Sequence, residues 1–112
     1  MDLDRDFYTN VFEVVKLIPR GRATSYGSIA KYLGATRSSR VVGWAMNQSI
    51  KKDATIPAHR VVNRLGVLSG KIHFKTPDTM QKKLELEGVV IIKDQIQNWK
   101  NVFWDPEVEL DL

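Results

Sequence analysis

Three helix-periodic segments, each bounded by residues that start or stop helices, constrain this chain more than any other feature. In the first, Phe7, Val11, Val14, Val15 and Ile18 recur at the spacing of one helix face. Pro19 and Gly21 end it. Ser25 can cap a second helix, YGSIAKYL, which Gly34 closes. Thr36 can cap a third, running from Arg37 to about Ser49. Two short helices joined by a tight glycine-containing turn predict a helix-turn-helix.

The third helix has two unlike sides. At about 100° per residue, Val41, Val42, Ala45, Met46 and Ser49 fall on one of them. Arg37, Arg40, Gly43, Trp44 and Asn47 fall on the other. One face can pack while the opposite face offers two guanidiniums, an amide and an indole around a glycine that lets backbone come close. That suits a nucleic-acid surface; a solvated basic face with a packed Trp44 is the plainer reading.

Charge points the same way. Net charge is +4, but from Arg20 to Lys75 eleven Lys and Arg face one acid, Asp53, a surplus of ten. Such a stretch is a footprint for phosphates, although a basic surface in water looks the same. The end of the chain is the reverse: Asp105 to Leu112 holds four acids and no base. We expect one domain over residues 1–104 and a solvated acidic tail over 105–112.

The remainder reads quickly. SIKKDAT is a basic loop, NRLG a turn, and VLSGKIHF a loop carrying Lys71. Thr76 and Pro77 mark a helix start, Gly88 its end, and Val89 to Ile92 a strand. NWKNVFW should pack back on the body. No stretch nears the roughly 20 apolar residues of a membrane span. The charged start, MDLDRDFYTN, lacks an apolar signal core. A cytoplasmic location is expected, with the nucleoid in a bacterium or in the nucleus of a eukaryote. The chain has no cysteine, hence no disulfide and no thiolate nucleophile. Two histidines without an acidic cluster give no basis for a metal, and no cofactor is expected.

The segment IPAHRVV, Ile56 to Val62, is a short buried stretch carrying a histidine and an arginine. Such stretches belong to sites of chemistry, yet Ala58 beside the histidine can do none.

SYGSIAKYLG, SSRVVGWAMNQS, IPAHRVVNRLG and KKLELEG together resemble the O6-alkylguanine-DNA alkyltransferases, in that family's order and spacing. The family signature is Pro-Cys-His-Arg-Val, and Pro57-Ala58-His59-Arg60-Val61 departs from it at the alkyl-accepting cysteine. The chain is thus similar to the alkyltransferase-like proteins, which keep the fold and the DNA grip without the transfer. The resemblance implies a mostly helical α/β fold, a winged-helix-like domain as in the C-terminal part of the alkyltransferases. It also implies a function: binding O6-alkylguanine in duplex DNA by base flipping and flagging it for nucleotide excision repair proteins, as a monomer and not as an enzyme.

Residue roles follow from the same resemblance. Tyr26 matches the tyrosine that presses on the phosphate beside the target nucleotide. Arg40 matches the finger that fills the emptied stack, and Arg37, Gly43 and Asn47 share its helix face. This helix is expected to lie in the minor groove. Tyr26, Met46, Pro57, Ala58, Val61 and Lys71 would line the lesion pocket. His59 and Glu87 match the pair that activates the cysteine and are left with a structural role, as is Arg60; His73 has none. The best-known alkyltransferase-like proteins carry tryptophan at the position of Ala58, so a roomier pocket tolerant of bulky adducts is expected here. A serine, Ser49, replaces a family asparagine, and the KKD loop is about one residue longer. Two other readings stay open. One is an alkyltransferase whose cysteine has been exchanged; the other is a helix-turn-helix regulator that reads undamaged DNA. A protein-interaction module without DNA binding fits the basic stretch, Tyr26 and Arg40 poorly.

Overall fold

The computed structural model describes residues 3–35 and 38–110, with the side chains of the first helix described from Phe7 onward. Helix α1 (Leu3–Lys16) buries Val11, Val14 and Val15, and Ile18 follows just beyond its end. A short strand, β1 (Thr24–Ser25), leads into α2 (Tyr26–Tyr32). The Ser25 hydroxyl accepts the Ser28 amide at 3.1 Å, the N-cap expected of it. Gly34, at φ +74°, ends the turn beyond α2 in a conformation that costs glycine nothing.

Helix α3 (Ser39–Lys52) starts and ends later than its sequence implied. Thr36 and Arg37 lie outside the described residues, and Ser38 is the N-cap. At the other end Ser49 does not stop the helix. Its hydroxyl donates back to the Met46 carbonyl at 2.7 Å, so it stays inside the helix with its polar group satisfied. Ile50, Lys51 and Lys52 therefore form a last turn rather than a loop, with the two lysines at the negative end of the helix dipole. Val42, Ala45, Met46 and Ser49 are buried, and Arg40 and Trp44 are exposed, as the two-sided pattern predicts.

After α3, residues Ala58–Arg60 make a single 3-10 turn that runs into β2 (Val61–Val62). Strands β1 and β2 pair in parallel, Thr24 opposite Val61 and Ser25 opposite Val62. Because successive strand residues face opposite ways, the two valines serve two cores. Val61 joins Val11, Val15, Ile29, Val42, Met46, Ala58 and Trp104. Val62 joins Ala23, Leu68, Met80, Leu84 and Ile96.

A second 3-10 turn (Lys71–His73) precedes α4 (Thr79–Leu86). Thr76 and Pro77 do not open α4. The Thr76 hydroxyl instead bonds Asp78 and Thr79, and Asp78 becomes the N-cap residue. Gly88, at φ +89°, follows the helix as expected. The strand read over Val89 to Ile92 shrinks to β3 (Ile91–Ile92), paired antiparallel with β4 (Gln95–Ile96). Lys93 and Asp94 between them both take positive φ, the conformation of a two-residue hairpin turn. Helix α5 (Trp99–Val102) and the buried Trp104 return the chain to the body.

The expected solvated tail is folded as far as Leu110. Asp105 caps a one-turn helix, α6 (Pro106–Glu109), by accepting the Glu107 amide; Pro106 is buried and Glu107 reaches Lys31 of α2 at 3.4 Å. A proline at the first helical position with an aspartate before it is a start signal that a reading by charge overlooks.

Candidate nucleic-acid interface

The 3-10 turn places Ala58 and His59 under the surface and leaves Pro57 half-buried. His59 Nε2 lies 2.7 Å from Glu87 Oε2. Arg60 grips the same carboxylate: Nε is 3.0 Å from Oε1 and Nη2 is 2.8 Å from Oε2. Its Nη1 donates to the Ile18 carbonyl at 2.8 Å, and the Gly21 amide donates to Glu87 Oε1 at 2.9 Å. One carboxylate thus joins the end of α1, the 3-10 turn and the end of α4.

Burial by itself would push the Glu87 carboxyl up. The hydrogen bonds from Arg60, the Gly21 amide and His59 outweigh it and hold the group at about 2. Burial pushes His59 down, against the pull of Glu87, so the ring is neutral at pH 7. With Glu87 ionised, Nε2 carries the proton it donates, and Nδ1 is bare. Such a base would suit a thiol, but position 58 offers only a methyl.

A shallow groove of about 340 Å³ runs along α3. From α3 come Ser39, Arg40, Gly43, Trp44 and Asn47. Tyr26, Ser69, Gly70 and His73 complete it. Burial raises the Tyr26 phenol above its ordinary range, a hydrogen bond with Ser69 partly offsetting this, so the hydroxyl keeps its proton. A methyl group at Gly70 would sit 2.7 Å from that hydroxyl, so only glycine lets the tyrosine lie there undisturbed. At Gly43 an added carbon would meet nothing within 4 Å.

A second cleft of about 360 Å³ opens at Pro57, Ala58 and His59. Ile50, Ile56 and Phe74 give it an apolar lining; beside His59, its polar members are Asp53, Thr55, Lys75, Thr79 and Lys83.

The expected residues distribute unevenly over these features. Tyr26, Arg40, Gly43 and Asn47 share the groove, while Arg37 lies outside the described residues. Pro57 and Ala58 line the second cleft. Met46 and Val61 are buried in the core, 2% and 1% exposed, and line neither concavity. Lys71 lines neither one either: its Nζ is 2.5 Å from Asp94 in the hairpin turn. Sequence reasoning gave no place to Ser69, Gly70, His73, Lys75 or Lys83. Only the dipeptide Ser69-Gly70 carried a local signal, a flexible step before Lys71. No group of three or more His, Asp or Glu that could hold a metal occurs among the described residues, and none of their helices could cross a membrane.

The family model for the DNA-binding domain of 6-O-methylguanine DNA methyltransferase matches residues 6–89. Alkyltransferase-like protein 1 of Schizosaccharomyces pombe is 33% identical over 105 residues, 90% of this chain and 96% of its own. The DNA base-flipping protein of Escherichia coli is 36% identical over 93 residues, 81% of this chain and 68% of its own. Among solved structures, S. pombe Atl1 in complex with damaged DNA containing O6-carboxymethylguanine superposes with a TM-score of 0.80 at 34% identity. That match covers 95% of this chain and 100% of the other. Mycobacterium tuberculosis OGT in complex with DNA gives 0.62 at 33% identity, covering 73% of this chain and 49% of the other.

Proposed function

The chain belongs to the 6-O-methylguanine DNA methyltransferase family, in its alkyltransferase-like branch, and from this we propose that it seizes O6-alkylguanine in duplex DNA without removing the alkyl group. One observation carries the reading. The His59–Glu87–Arg60 frame and the groove are intact, while the position that must present a sulfur is Ala58 and the sequence has no other cysteine.

The parts divide the work as follows. Helix α3 enters the minor groove, where the bare Gly43 lets its backbone approach the DNA. The protonated Tyr26 hydroxyl donates to the phosphate beside the target base. Arg40 stacks in the gap that the base leaves. Flipping costs a few kcal/mol, less for a weakened pair, and a planar cation in the stack returns part of it. The base comes to rest against Pro57 and Ala58. Attack on the O6-alkyl carbon needs a lone pair, and an alanine methyl has none, so the lesion is held intact. Its removal falls to nucleotide excision repair, and the protein's protection of alkylated cells should vanish when that pathway is disabled.

Titration of O6-methylguanine duplex against its unmodified twin, followed by weighing the intact protein, tests the core of this. The expected result is tighter binding to the lesion with protein mass unchanged. A protein heavier by one methyl group, or equal affinity for the two duplexes, overturns it. Binding governed by base sequence regardless of the lesion would instead identify a helix-turn-helix regulator.

A further inference from the structure

Helix α3 carries one large group that the function above leaves without work. Of the chain's three tryptophans, Trp104 is buried, and Trp99 packs against Gly66 with its Nε1–H donating to the Arg64 carbonyl at 3.2 Å. Trp44 does neither. It is 54% exposed on the wall of the α3 groove, and among the described residues its Nε1–H has no acceptor. An apolar ring with a free donor at its tip is the form that tryptophan takes at interfaces.

Its place on the helix says what it meets. Trp44 stands one turn beyond Arg40 on the same face, beside the bare Gly43. Four residues advance a helix by about 6 Å, and stacked bases are about 3.4 Å apart. With Arg40 in the emptied stack, the indole therefore faces a base pair within about two steps of the lesion. The other groove side chains cannot discriminate there. Ser39, Asn47 and His73 each combine a donor with an acceptor, while Tyr26 is engaged at the phosphate and Arg40 in the gap. An indole N–H can only donate. In the minor groove an A·T pair shows acceptors alone, adenine N3 and thymine O2, whereas a G·C pair adds the guanine 2-amino donor. The first matches an indole; the second opposes it.

We propose that Trp44 is a specificity-determining residue: it donates its Nε1–H to the minor-groove edge of a pair beside the lesion and makes affinity depend on whether that pair carries a 2-amino group. The proposal rests on the lesion-holding function above, with α3 in the minor groove.

Inosine isolates the group in question, because an I·C pair keeps the major-groove face of G·C and lacks the amino. Three O6-methylguanine duplexes carry A·T, I·C or G·C at the two pairs on each side of the lesion. Each is titrated with wild type and with Trp44→Phe, which keeps an apolar ring and loses the donor. Trp44 belongs to neither buried core, so this change leaves the packing alone. Weaker flanking pairs ease flipping for both proteins alike. The quantity compared is therefore the preference for I·C over G·C in wild type divided by that in the variant. One hydrogen bond made in place of one donor opposed puts this quotient at about three- to tenfold, with A·T flanks behaving as I·C. A smaller quotient overturns the proposal, as does wild type treating A·T flanks like G·C. If wild type prefers all three lesions to unmodified duplex and the quotient is about one, the proposal alone fails. If no lesion is preferred, the lesion-holding function fails and takes the proposal with it.

Discussion

Glu87, at the end of α4, accepts from four donor atoms on two other segments, the turn after α1 and the 3-10 turn, so its ionisation is tied to the stability of the whole fold. A carboxyl held at about 2 in the folded chain, against 4.5 when unfolded, takes up protons more readily in the unfolded state. Its contribution is complete above pH 4.5 and is lost as pH falls toward 2, up to about 3 kcal/mol in all. His59 acts in the same sense higher up: its lowered value means stability begins to fall as pH drops below 6.5. Denaturant midpoints measured from pH 8 downward should therefore decline in two steps. Glu87→Gln should lose the lower step and cost about 3 kcal/mol at pH 7, because Arg60 is left buried against a neutral amide; a variant as stable as wild type would show that the frame carries no weight. Arg40 permits a sharper test. Arg40→Ala should lose about ten- to a hundredfold in lesion affinity, the worth of a stacked group. Arg40→Lys keeps the charge but not the plane, so it should restore little. Full rescue by lysine would make Arg40 a phosphate contact. The Pro57-Ala58-His59-Arg60-Val61 segment and its carboxylate Glu87 were legible through the resemblance to the alkyltransferase family, whose signature the segment matches at all but one residue. Lys71 was not, since its partner Asp94 sits in a turn made by a hairpin 23 residues away.

At the scale of elements, α2 and α3 were legible and their ends were not. Ser25 and Gly34 act through local geometry, which any reading of the chain can follow. Ser49 and Thr76 could equally have capped, and their side chains chose other partners. The parallel pairing of β1 with β2 joins residues 37 apart, so no local signal announced it. Helix α3 also carries a prediction in which stability and function part company. Gly43 lies within the helix, and a methyl group there would meet no protein atom within 4 Å. Gly43→Ala should therefore stabilise the free protein by about 0.5–1 kcal/mol. If α3 lies in the minor groove, the same methyl meets the DNA wall, and affinity should fall, with Gly43→Leu worse than Gly43→Ala. Melting temperature and duplex binding measured on one preparation decide it. A variant that is both more stable and as tight a binder would remove the helix from the groove.

For the molecule as a whole, the basic surplus between Arg20 and Lys75 overstates what is available to phosphates. Three of its arginines hold the fold together. Arg20 donates to the Leu86 carbonyl, Arg22 to those of Val102 and Phe103, and Arg60 to Glu87 and Ile18. Lys31 and Lys71 are paired with Glu107 and Asp94. What remains among the described residues is Arg40, Lys51, Lys52, Arg64 and Lys75. A count by sequence cannot separate these groups, because an arginine bound to a carbonyl and one bound to water are the same letter. The difference is measurable. Each neutralised phosphate contributes about −0.9 to the slope of log affinity against log salt. Ten contacts would give roughly −9, five about −4.5. We expect a slope between about −3 and −5 for undamaged duplex. A slope near −9 would require the structural arginines to leave their carbonyls on binding, and would turn the apparent frame of the fold into part of its grip on DNA.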